Sequence, residues 1–148
     1  MAGKGGKKQK DSAQKISWFQ DAAIFAGLSP QNGKDAVEGS YRAQIQTAKG
    51  AQFSGSVDLD THFRITEPQS HRWDYGVGVK ISDGREMVFW IEPHPASSTG
   101  EVTKMLAKLA WLKEKLDTAA FKKLKSATDS AGELGNPFYW LLTANGDC

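Results

Sequence analysis

The sequence predicts one small α+β domain, an antiparallel meander of strands with helices packed on the sheet. Three observations predict it. Trp73, Tyr75, Val77, Val79 and Ile81 alternate with Asp74, Gly76, Gly78 and Lys80; Met87, Phe89 and Ile91 then alternate with Val88, Trp90 and Glu92. Ser82-Asp83-Gly84 lies between the two runs, and Asp-Gly between alternating runs is the strongest short-range hairpin signal. Val102, Met105, Leu106, Leu109, Leu112 and Leu116 recur at helical spacing. Finally, 148 residues with 39% hydrophobic content and five Trp suffice for one core.

In chain order, residues 1–11 form a basic arm expected to be disordered, and residues 12–148 the domain. Residues 1–15 hold five lysines against Asp11, a net +4 within a chain whose total is +2. Such a Gly/Lys-rich stretch buries nothing. Lys4, Lys7, Lys8 and Lys10 are its candidate phosphate contacts. Ile16, Phe19, Ala23, Ile24 and Phe25 predict a helix capped by Asp11 or Ser12 and stopped near Gly27. Tyr41 to Ala48 alternates loosely and predicts a strand, and Phe53 to Phe63 a second. After the hairpin, Pro93 and Pro95 are expected to close its second strand. Ser97, Ser98 or Thr99 caps the following helix, whose other side carries Lys104, Lys108, Trp111 and Lys115. A short helix over 117–127, a loop over 128–136 and a buried strand Phe138–Thr143 complete the order.

Several function classes are excluded. Cys148 is the only cysteine, so no intrachain disulfide and no Cys₄ or Cys₂His₂ zinc site can form. Nothing requires an oxidising compartment, and a cytoplasmic location is the default. No apolar run reaches the roughly 18 residues of a membrane span, and the basic start has no apolar run leading to a cleavage site. Nucleophile elbow, phosphate-cradling glycine loop and HExxH are all absent.

The chemistry-bearing residues gather on the hairpin. Asp74 enters one strand and Glu92 leaves its partner. An odd-length loop places them directly opposite each other; a two-residue loop sends them to opposite faces. On one face they form a hard-oxygen site suited to Mg²⁺ or Mn²⁺. His94 follows two residues later on the same side, where it could hold a water or act as a base. Gly76 and Gly78 leave room beside Asp74. Asp58, alternating with Asp60 onto one strand face, is a candidate third ligand. Lys104 or Lys108, reaching back from the helix, would steady phosphate charge.

Asp74 in Arg72-Trp73-Asp74-Tyr75 and Glu92-Pro93-His94, within that order of elements, resemble the PD-(D/E)XK nuclease-like superfamily over residues 12–143. In that superfamily an Asp opens the second core strand and Glu-x-Lys closes the third. Here Trp73 stands in place of the motif proline and His94 in place of its lysine. The resemblance implies a restriction-endonuclease-like fold and Mg²⁺-dependent phosphodiester hydrolysis. Asp74 and Glu92 would be the metal ligands, and Lys104 or Lys108 would substitute for the lysine. The implied partner is nucleic acid, DNA in the first instance, acted on by a monomer or a homodimer. The alternative is an inactive module on the same fold, binding a protein partner through Trp73, Trp90 or Trp111. A small metalloprotein using His94, Glu92 and Asp74 is a third reading.

Overall fold

The structure, a computed structural model, describes residues 16–95 and 100–143. The arm and its lysines lie outside this range, as do the expected caps at residues 11, 12 and 97–99. Helix α1 is Trp18–Phe25, and its cap is Ser17: Gln20 N–H donates to Ser17 Oγ (3.0 Å), and Ser17 N–H donates to Gln20 Oε1 (2.9 Å). Gly27, at φ 88°, takes the left-handed conformation just past the helix end.

The expected strand over 41–48 does not form. Gly39–Arg42 is instead a helical turn, α2, and the remainder is irregular. The segment satisfies its own carbonyls: Arg42 Nε donates to Val37 O (2.7 Å), and Lys34 Nζ donates to Arg42 O (2.9 Å) and Ile45 O (2.8 Å). With those acceptors filled, it has little left to offer a sheet edge. The next strand is shorter than expected. β1 is Gln52–Asp58, and the Asp58 carboxylate then caps a helical turn, α3 (Leu59–Phe63), by accepting from Thr61 N–H and Oγ1, both at 2.9 Å.

The hairpin forms as expected, with β2 Tyr75–Lys80 and β3 Glu86–Pro95. Ile81 N–H still donates to Arg85 O (2.9 Å), leaving Ser82-Asp83-Gly84 as a three-residue loop with Gly84 at φ 94°. The register Tyr75↔Ile91 and Gly76↔Trp90 follows. Helix α4 (Gly100–Leu116), a 3₁₀ turn (Ala119–Phe121) and helix α5 (Lys122–Gly132) then lead to β4, Phe138–Thr143. The sheet order is β1-β2-β3-β4, antiparallel except for the parallel β3–β4 pair. This is a mixed α+β sheet with helices packed against it.

Four further expectations are corrected. The prolines end pairing with β2 only, because β3 continues through Pro93 and Pro95 alongside β4. Trp90 N–H donates to Pro137 O on the β4 side (2.8 Å). By alternation, positions 93 and 95 aim the edge that lacks an N–H away from β4, beyond the start of β2. Helix α5 runs past 127 to Gly132, because Thr128 is enclosed: its Oγ1 donates to Leu124 O (2.7 Å) and accepts from Trp90 Nε1 (2.9 Å). β4 is an edge strand with Tyr139, Trp140 and Leu142 exposed, not a buried one. The space at Gly76 and Gly78 is taken by the protein itself: a Cβ at either would lie 2.4 Å from the ring of Trp90 or Phe19.

The helical layer buries Phe19, Ala22, Trp90, Leu112, Leu116 and Leu124 against one sheet face. The second face carries Tyr75, Val77, Val79 and Ile91, partly roofed by Val37 and Ile45.

Candidate functional site

By the hairpin register, Asp74 lies opposite Glu92, so the two share the helix-covered face of the sheet. The three-residue loop meets the condition for convergence. Asp74 N–H donates to Glu92 Oε1 (2.8 Å), and Lys108 of α4 donates to Glu92 Oε2. Glu92 has no solvent exposure, and Lys108 is mostly covered. Asp74 O accepts Leu59 N–H (2.7 Å), which holds the strand entry against α3. No described side chain donates a hydrogen bond to the Asp74 carboxylate.

The electrostatics follow from that crowding. Burial pushes Asp74 up to about 6, with Asp60 and Asp58 adding to the rise and Lys108 opposing it. Burial, then the Asp74 charge, pushes Glu92 up to about 7 against the pull of Lys108. The two titrate as a pair near neutrality. Burial disfavours the Lys108 ammonium, but Glu92, Asp74 and Asp60 outweigh it and raise its pKa.

The other candidates separate from this centre to different degrees. Lys104 is exposed, with no polar contact among the described residues. Asp58 pairs with Tyr75 across the sheet, and both its oxygens are used to cap α3. His94 is buried on the Glu92 side of β3. Its Nε2 stands 3.0 Å from Glu101 Oε1 without the alignment of a hydrogen bond. Among the described residues, no group of three or more His, Cys, Asp or Glu is gathered to hold a metal.

Helix α4 is rotated from its expected setting. Met105, Trp111, Leu112 and Leu116 are buried, Lys108 and Lys115 turn inward, and Val102 and Leu106 are half-exposed. The cause is polar. Trp111 Nε1 donates to Glu67 Oε1 (2.9 Å), and Lys115 donates to Glu67 Oε2. Trp73, Trp90 and Trp111 are all buried, so none is available as a partner's anchor; the exposed indoles are Trp18 and Trp140.

Three site neighbours were not predicted. Asp60 is held by Arg64 Nη2 and Arg72 Nε, each at 2.9 Å, and these arginines bring its pKa below the usual range despite burial. Its alternation with Asp58 was visible, but on the wrong element. Arg72 had a signal in its place two residues before Asp74. Glu67, in a loop, had none.

A cleft of about 370 Å³ lies on the second sheet face, lined by Phe53, Val79, Phe89, Ile91 and Leu141. It holds no carboxylate, lysine or arginine and is separate from the Asp74 site. The chain is thus an α+β domain bearing an acid–acid–lysine cluster at one end of its sheet. Comparison with protein families, with curated proteins and with solved structures finds no match.

Proposed function

We propose that the chain is a metal-dependent nuclease of restriction-endonuclease-like fold, hydrolysing phosphodiesters in DNA. The observation that carries the reading is the meeting of Asp74 and Glu92, from facing strand ends, with Lys108 from the following helix. The order helix, antiparallel three-strand meander, helices and parallel fourth strand supports it.

The donor set suits Mg²⁺ or Mn²⁺. Both are hard cations that take one or two carboxylates and fill their other positions with water and phosphate oxygens. Asp74 and Glu92 would hold the ion, which supplies a polarised phosphate and an activated water. Glu92 would exchange its bond to Lys108 for that role. Lys108, released toward the phosphate, would stabilise the charge that develops there. Lys108 therefore takes the part that His94 and Lys104 could also have filled. His94 stays behind the site, beside Glu101. Lys4, Lys7, Lys8 and Lys10 would add salt-dependent attraction to the DNA backbone.

The test is plasmid DNA incubated with Mg²⁺ or Mn²⁺. Cleavage is expected from the wild type and lost in Asp74→Ala and Glu92→Ala. A folded wild type that cuts nothing with either ion sinks the reading.

A non-catalytic module that binds a protein keeps one observation in its favour, the apolar edge of β4. Under that reading Trp140→Ser abolishes partner binding, while Asp74→Ala leaves it intact.

A further inference from the structure

The loop between α3 and β2 delivers Asp74, and α4 delivers Lys108. Glu67 joins the two. Its backbone organises the loop: Glu67 N–H donates to Phe63 O (2.8 Å), and Glu67 O accepts from Arg72 Nη1 (2.8 Å) and from Ser70 N–H (3.2 Å). Arg72 in turn donates to Asp60 Oδ1 (2.9 Å), and Leu59 N–H donates to Asp74 O (2.7 Å). The stretch from Glu67 to Asp74 is therefore tied at both ends.

The Glu67 carboxylate grips α4. Its Oε1 accepts Trp111 Nε1 (2.9 Å) and its Oε2 pairs with Lys115. Trp111 lies one turn after Lys108 and Lys115 two turns after it, so all three occupy one stripe of the helix. This stripe is the one turned inward, while Val102 and Leu106 stay half-exposed. Apolar burial alone pulls both ways, since turning Val102 and Leu106 inward would lift the Trp111 ring off Phe63. A charged acceptor held in a rigid loop, bonded to a buried indole and an ammonium, supplies the deciding preference.

We propose that Glu67 is a positioning residue, whose bonds to Trp111 and Lys115 set the rotation of α4 that aims Lys108 at Glu92 and Asp74. The value of that aim rests on the hydrolase reading; the clamp itself does not.

The test is acetylation of the full chain by a water-soluble N-hydroxysuccinimide ester, read lysine by lysine by peptide mass spectrometry. Lys34 is the internal control. Removing the clamp in Glu67→Ala should speed labelling of Lys108 by about fivefold, the factor given by a local loosening of roughly one kcal/mol, and leave Lys34 unchanged. Glu67→Gln keeps an acceptor for Trp111 and should restore part of the protection. Lys115→Met removes only one grip and should give an intermediate rate, which covers the case in which Glu67→Ala does not fold.

Unchanged Lys108 labelling in the folded variants overturns the proposal. So does an equal rise at Lys34, whose ammonium is held by Arg42 O and Ile45 O on a different loop; that would mark general loosening. A protein that shows the contrast yet cuts no DNA overturns the hydrolase reading and leaves the clamp standing.

Discussion

Glu92 is a carboxylate without solvent contact, kept in place by one backbone N–H and one ammonium. Removing one partner of such a pair leaves a buried charge uncompensated, which is far more costly than losing a surface bridge. Lys108→Met should therefore destabilise the fold by about 3–5 kcal/mol at pH 8. The deficit has a defined pH dependence. Glu92 already titrates near 7 in the folded chain, above its unfolded value, because burial favours the neutral acid. A group whose folded pKa is raised contributes stability at low pH and loses it as pH climbs through that pKa. Without Lys108 the folded pKa rises further, so at pH 5 the lone carboxyl is protonated and the variant's deficit shrinks. Urea denaturation at pH 5 and pH 8 measures this; equal deficits at both would show that Glu92 and Lys108 are not an ion pair.

At the scale of elements, hairpin register decides whether a site exists. Deleting Ser82 should leave Asp83-Gly84 as a two-residue loop closing on the same Ile81–Arg85 pair, so Asp74 stays opposite Glu92. Mn²⁺ binding should then be kept, with far-UV circular dichroism reporting a folded protein. Lost affinity in a folded variant would contradict the pairing. Gly78→Ala tests the packing beneath: its new methyl would press on the Phe19 ring and should cost about 1–3 kcal/mol in thermal unfolding. These elements also show what the sequence could disclose. The hairpin was legible because period-two alternation and Asp-Gly are local signals, and the placement of Asp74 opposite Glu92 followed from them once loop length was known. The Phe53–Phe63 strand was read too long because Asp58 alternates like a strand residue; only its bonds to Thr61 reveal a cap. The rotation of α4 was illegible because the stripe of Val102, Leu106 and Leu109 is a sound helical pattern. The acceptor that overrides it, Glu67, is 44 residues from Trp111 in the chain. Glycines read as open space were spaces already filled by side chains from elsewhere.

For the molecule as a whole, the same two carboxyls link stability, pH and cation binding. Asp74 and Glu92 titrate at about 6 and about 7 in the folded chain, against about 4 when unfolded. Folding therefore takes up protons between pH 4 and 7, and the metal-free protein should lose stability as pH rises across that window. A divalent cation reverses the balance, because it binds the ionised pair and competes with protons. At pH 8, Mn²⁺ at a hundred times its Kd should add about 2.7 kcal/mol. For a chain of this size that is a rise of roughly 5–10 °C in Tm. At pH 5 the same Mn²⁺ should raise Tm little, since protons occupy the site. Asp74→Asn supplies the control. Without the carboxylate it should melt above the wild type at pH 8 in the absence of metal, having lost a charge that burial disfavours, and Mn²⁺ should not raise its Tm. Differential scanning calorimetry of both proteins at pH 5 and pH 8 tests the whole scheme. A Mn²⁺ effect that is equal at both pH values, or that survives Asp74→Asn, would place the cation elsewhere and detach the Asp74–Glu92 pair from metal chemistry.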